Sequence, residues 1–141
     1  MADIKVKISA EIEHIATILA ELKKTSALSE VSTIELAGIG ALLHNFYNCI
    51  ENIIKQVLLF KGMTVPTGSF WHRDLLESAC SSQIISSDLK MKLAPYLAFR
   101  HFFVHGYSLD LKAEFIFPLV QNTSTVFEGF SKELRKQVDG D

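Results

Sequence analysis

The sequence is poor in the residues that divide or staple a chain. Two cysteines, Cys49 and Cys80, occur in 141 residues, too few for a disulfide framework and without the paired spacing of a structural zinc site. Three prolines and seven glycines form no linker, and neither a repeat nor a low-complexity tract interrupts the chain. Its length is that of one domain, taken as 1–141. No apolar run approaches the ~18–20 residues of a membrane span; Val57–Phe60, for example, ends at Lys61. A membrane partner is therefore not expected. The opening Met1-Ala2-Asp3-Ile4-Lys5 lacks the basic-then-apolar order of a signal peptide. The sequence reads as a reduced, cytoplasmic protein. There is also little charge of one sign: 14 basic against 16 acidic residues leave a net −2. That balance supplies no broad basic face for holding nucleic acid nonspecifically, although a small basic pocket acting on one phosphate is compatible with it.

What is present is apolar surface with a helical period. Hydrophobic residues make up 48% of the chain and charged residues 21%, enough for a packed core and too apolar for a disordered chain. Apolar positions recur every three or four residues and nowhere alternate for long. Ile4, Ile8, Ile12, Ile15, Leu19 and Leu22 mark a first helix ending near Lys23-Lys24. A second opens at Ser32 with Glu35 three residues on, a capping box. It carries Ile39, Leu43, Phe46, Ile50, Ile53 and Val57 and stops at Gly62. Its length of roughly 40–45 Å makes it the spine of the fold, and Ala37-Gly38-Ile39-Gly40-Ala41 allows another helix to come close. A turn-rich connector over 62–69 leads to a short helix from about Phe70 to Cys80. The fourth helix starts after Ser86-Ser87 and runs to about Val104, with a kink or break expected at Pro95 and termination at Gly106. The last begins near Asp110, carries Ile116, Val120, Phe127, Phe130 and Leu134, and is expected to bend at Pro118. The fold class is all-α, an antiparallel bundle of four long helices and one short one.

Side chains able to do chemistry concentrate where the fourth helix ends, in Phe99-Arg100-His101-Phe102-Phe103-Val104-His105-Gly106-Tyr107. A permanently charged Arg100 can grip a phosphate with two hydrogen bonds, and His105 can give or take a proton near neutral pH. Five residues on a regular helix separate the two by about 140°. A helix ending at Gly106 relaxes that separation, and a twofold dimer could bring two such pairs together. The plainer alternative makes Arg100 a solvated cation and His105 a helix-end histidine satisfied by a carbonyl. His44, Tyr47 and Glu51 follow one flank of the second helix's apolar stripe. Glu51 could orient Arg100 or His105, or mark only the edge of the core. His101 could contact a substrate or satisfy a buried carbonyl. His72 and Arg73 read mostly as surface or packing residues, with added positive charge near the site as the other option. A metal site from His72, His101 and His105 is not expected, and neither is a cofactor. His14, on an otherwise charged face, points to nothing.

These residues resemble the HEPN superfamily and, within it, the HepT-like ribonuclease toxins. The superfamily's signature is Arg, a polar residue, a short spacer and His, to which the HepT-like version adds Tyr two residues later. Arg100, His101, His105 and Tyr107 match it. Patches at Leu43–Glu51, Phe70–Leu76 and Phe99–Asp110 extend the likeness over most of the chain, and the first helix matches only as a pattern. The resemblance implies a homodimer that cleaves RNA without metal, restrained by a cognate nucleotidyltransferase antitoxin. In that reaction the 2′-hydroxyl attacks phosphorus, leaving a 2′,3′-cyclic phosphate and a 5′-hydroxyl; His105 moves protons and Arg100 stabilises the charge. The matching tyrosine, here Tyr107, is where such antitoxins attach AMP; otherwise it is a packing residue after a helix end. The sequence departs from the pattern in one respect. HepT-like toxins often carry basic residues in the spacer, whereas Phe102-Phe103-Val104 is wholly apolar. The alternative function is a non-catalytic helical dimer that binds a partner protein or nucleotide.

Overall fold

In a computed structural model of the protein, residues 2–25, 31–106 and 110–138 are described. Five helices follow one another: α1 (Ala2–Leu22), α2 (Thr33–Phe60), α3 (Trp71–Ser81), α4 (Ser87–Val104) and α5 (Ala113–Val138). No strand occurs among the described residues. The all-helical bundle expected from the apolar period is what forms, with helix ends within a few residues of the expected positions.

Side-chain caps set several of those ends. The Ser32 hydroxyl accepts the Glu35 N–H at 3.1 Å, and the Ser32 N–H donates back to Glu35 Oε1 at 3.2 Å, so α2 starts with both halves of its capping box closed. It stops where Gly62 takes a φ of +73°. There the N–H groups of Gly62 and Met63 turn back onto the carbonyls of Leu59 and Leu58, the Schellman arrangement that glycine makes inexpensive. At the start of α4 the Ser86 oxygen accepts the Leu89 N–H. The same residue donates its own N–H and hydroxyl to the two Glu133 oxygens at 2.6 and 2.8 Å, which ties the opening of α4 to α5.

Helix α2 packs against each of the other four helices, and its Phe46, Ile50, Ile53, Val57 and Leu58 are fully shielded from solvent. Helix α4 runs antiparallel to α2, since Phe103 meets Gly40 and His44 at one end and Tyr96 meets Phe46 further along. It is antiparallel to α5 as well: Ser86 reaches Glu133, and the Tyr96 hydroxyl donates to the Leu119 carbonyl at 2.6 Å. Pro95 does not break α4. It sits on the exposed face, where the carbonyl one turn earlier, on exposed Met91, can turn to water instead of needing an amide. Pro118 likewise lies within a continuous α5 on its exposed side. The last helix starts at Ala113, three residues later than the sequence suggested, because Asp110–Lys112 carry Leu111 back onto α2 at Gly40.

The two early glycines of α2 differ in role. A methyl group added at Gly40 would lie 2.8 Å from Leu111 Cδ1 and 3.0 Å from Phe103 Cε1, whereas one at Gly38 meets nothing within 4 Å. Gly40 is thus the notch into which α4 and the segment after it close. Gly38→Ala should raise stability by about 0.5–1 kcal/mol, the helix-propensity gain. Gly40→Val should lower it by about 1–3 kcal/mol through overpacking. Urea denaturation of the two variants checks this pair of opposite signs.

Candidate functional site

The inward stripe of α4 reads Leu89, Leu93, Tyr96 and Phe99, all buried, and Arg100 follows Tyr96 at the next helical step. The same periodicity that packs the helix therefore carries a guanidinium toward α2. Its Nε is buried without a hydrogen-bond partner in the protein, as is His44 Nε2. Unsatisfied buried polar atoms cost stability and are few in native folds, so this pair marks a place shaped by something besides packing. The Arg100 charge acts on His44, Tyr47, Glu51 and His72 together, which locates it among them.

Glu51 is the most unusual member. It is 1% exposed, in the middle of α2, where a carboxylate needs a partner. Its partner comes from α3: His72 Nδ1 lies 2.9 and 2.8 Å from the two Glu51 oxygens. Burial pushes the Glu51 carboxyl up to about 7, against the opposing pull of Arg100 and Lys55. Burial, then the charges of Arg100 and Lys55, lower His72 to about 4. Both groups are driven toward their neutral forms, so across the acid-to-neutral range the pair holds one proton between carboxyl and imidazole. A pair that is neutral as a unit leaves the Arg100 charge uncancelled. Burial and Arg100 also keep His44 toward its neutral form, and burial holds the Tyr47 phenol protonated.

Ring contacts on two sides brace the cluster. The His44 ring stacks on Phe103, centroids 5.6 Å apart, and Phe103 stacks on Phe99 at 5.7 Å. On the other side Trp71 lies against His72, and Lys55 Nζ sits 3.9 Å above the indole, a cation–π contact that brings a second positive charge near the pair.

The remaining signature residues occupy the outer side of the helix end. His105 is the C-cap of α4, and Gly106 after it takes a φ of +85°. The His105 ring packs on His101, one turn back, with centroids 4.2 Å apart, and both residues are exposed. Helix α4 is unbroken as far as Val104, so Arg100 turns inward and His105 outward. Within the chain the structure gathers His44, Tyr47, Glu51 and Arg100 into one cluster and pairs His101 with His105 at the same helix end. Tyr107 lies outside the described residues. Around this corner the surface is apolar. Phe102, Val104 and Phe115 are exposed by 38, 45 and 71%. A groove of about 660 Å³ between α4 and α5 is lined by Phe99, Phe102, Leu111, Phe115, Ile116 and Leu119 among others.

A family model described as HepT-like protein matches residues 38–139, which takes in every helix except α1 and the first turns of α2. The chain belongs to the HepT-like family. It is thereby a member of the HEPN superfamily, as the signature around Arg100 suggested. No curated protein and no solved structure matches the chain.

Within this HepT-like protein, sequence reasoning undervalued His72. Read as surface or packing, it is instead the direct partner of the buried Glu51. The signal was available, because His72 stands three, four and seven residues before Leu75, Leu76 and Ala79, the buried face of α3. Glu51, left open between the core edge and an orienting role, is fully inside and under the charge of Arg100. The apolar spacer also has a local cause: Phe103 is the side chain that fills the Gly40 notch and covers His44.

The shared proton has a measurable consequence. A raised Glu51 makes the folded state bind more protons than the unfolded chain between about 4.5 and 7, so its share of stability declines as pH rises. A lowered His72 does the reverse between about 4 and 6.5. The two slopes nearly cancel in the parent. In a Glu51→Gln protein only the His72 slope survives, so the variant should lose stability relative to the parent as pH falls through that window. Urea midpoints of both proteins across the range test this, and a difference that does not change with pH would contradict a shared proton.

Proposed function

We propose that this single-domain chain is a metal-independent endoribonuclease toxin working as a homodimer. Three groups of observations support the reading: membership in the HepT-like family, an Arg100 whose charge the Glu51–His72 pair leaves uncancelled, and the two exposed imidazoles of His101 and His105 at the end of α4. Arg100 is the observation that carries it. A cation embedded among groups held neutral is suited to the extra negative charge of a pentavalent phosphorus, in surroundings where such a charge counts for more than in water.

The 2′-hydroxyl gives its proton to a base as its oxygen bonds to phosphorus. The 5′-oxygen leaves with a proton from an acid, and a 2′,3′-cyclic phosphate remains. His105 is the proton carrier, with His101 beside it as a substrate contact. One imidazole cannot stand on both sides of an in-line displacement. Two copies of His105 across a twofold axis can, and the exposed Phe102, Val104 and Phe115 at this end of α4 form an apolar surface suited to a second copy. Metal has no part in these steps. The partner would be a nucleotidyltransferase antitoxin that attaches AMP to Tyr107. The added phosphodiester and adenine would stand beside Arg100 and compete with the RNA phosphate.

A second reading keeps the fold and drops the chemistry: a non-catalytic dimer that binds a partner protein or nucleotide. The net charge of −2 and the apolar Phe102-Phe103-Val104 spacer favour it, because both weaken electrostatic capture of RNA.

Purified protein incubated with a defined RNA in the presence of EDTA separates the two. Cyclic-phosphate ends should appear with the parent. They should fall at least about a hundredfold with Arg100→Ala or His105→Ala, the loss of one electrostatic donor or one acid–base group. Absence of cleavage by folded, dimeric protein with unmodified Tyr107 would favour the binding module. Where the parent is toxic to cells, Tyr107→Phe should remain toxic when the nucleotidyltransferase is co-expressed; growth curves read this directly.

A further inference from the structure

On the opposite side of α2 from Glu51, a different set of side chains converges. Cys49 precedes Glu51 by two residues, which turns it about 200° around the helix toward α1. There it meets Glu11 and His14, three residues apart and therefore on one face of α1. The ligand-capable atoms of Glu11, His14 and Cys49 all lie within 4.8 Å of one another. We propose that these three residues form a binding site for zinc or a similar thiophilic divalent cation, bridging α1 and α2.

The donor set suits such an ion. Thiolate, imidazole and carboxylate are the three protein ligands zinc takes, and a Glu-x-x-His step on one helix is a spacing used for metals in the interiors of helical bundles. Four-coordinate zinc places its ligand atoms about 3.3–3.7 Å apart, from bond lengths of about 2.0–2.3 Å. The observed spread needs a closure of roughly 1 Å. The exposed His14 can supply it by rotating its ring, while buried Cys49 stays in place. Glu11 is already aimed: Asn52 Nδ2 donates to its Oε1 at 3.2 Å, the kind of supporting hydrogen bond that orients a metal-bound carboxylate. Three protein ligands on an edge reaching solvent leave the fourth position to water.

The Glu11 carboxylate lies beside the buried Cys49 thiol. A divalent ion entering here would displace the thiol proton to solvent and set two positive charges between one thiolate and one carboxylate. The reaction is a ligand exchange in which neither the sulfur nor the metal is oxidised or reduced. Glu11 and His14 belong to α1, outside the matched residues 38–139, so this site does not rest on the nuclease reading.

Cobalt is the probe. Metal-free, untagged protein titrated with Co²⁺ should bind one equivalent and develop a thiolate-to-metal charge-transfer band with the visible bands of a tetrahedral ion. Excess Zn²⁺ should abolish both. Cys49→Ser should remove the charge-transfer band and Cys80→Ser should leave it, which assigns the sulfur. His14→Ala and Glu11→Gln, both outside the fully buried core, should each weaken binding at least about tenfold while circular dichroism stays that of the folded parent. Zinc should also raise the melting temperature of the parent and not that of His14→Ala. A missing charge-transfer band at saturating Co²⁺, one that survives Cys49→Ser, or binding indifferent to His14→Ala and Glu11→Gln would each overturn the proposal.

Discussion

A carboxyl group in the middle of a core helix constrains everything around it. Glu51 cannot stay charged among Ile50, Ile54 and Leu58 without a partner, and water does not reach it. The requirement is met from α3 by His72 and from α4 by the field of Arg100. Helices α2 and α3 are thus held in one relative arrangement by a polar contact, where apolar packing alone would tolerate small slides, and α4 adds the charge of Arg100 beside it. A proton shared between acid and imidazole is what makes this workable. It satisfies both groups without two opposite charges having to be desolvated.

The functional corner follows from that constraint. Because the pair is neutral as a unit, it does not neutralise Arg100. Because Arg100 turns inward on the stripe that buries Tyr96 and Phe99, the residue five positions on must face outward, and so His105 stands next to His101 at the surface. Phe103 completes the arrangement by closing the Gly40 notch and covering His44. Chemistry and packing are divided between adjacent positions of one helix end, which accounts for a signature spacer that is apolar.

The fold was largely legible because its signals are local. The Ser32–Glu35 capping box, the stop at Gly62, the Ser86 cap and the isoleucine period of α1 each act within one or two turns, so sequence spacing reports them directly. The expected break at Pro95 failed because proline disrupts a helix only where the freed carbonyl has no alternative partner, and which face is wet is decided by the whole fold. The site was legible in part for the same reason. Arg100, His101 and His105 lie in one stretch, and a family signature covers them. The pairing of Glu51 with His72 and the convergence of Glu11, His14 and Cys49 join residues far apart in sequence, and no spacing rule reaches that far. His72 still left a trace, since it continues the buried face of α3. His14 left none on α1 and gains meaning only when α2 is laid beside it.

The order of the helices along the chain also gives the protein a schedule. Chains emerge N-terminus first as they are made, and among the described helices α1 and α2 precede the other three. Glu51 must wait for α3 to bring His72, and the Gly40 notch stays open until Phe103 and Leu111 arrive from α4 and beyond. Arg100 and His105 are positioned only after most of the chain has left the ribosome. A growing chain therefore carries Glu51 well before it carries any residue of the cationic corner. Truncation anywhere before α4 leaves that acid without Arg100.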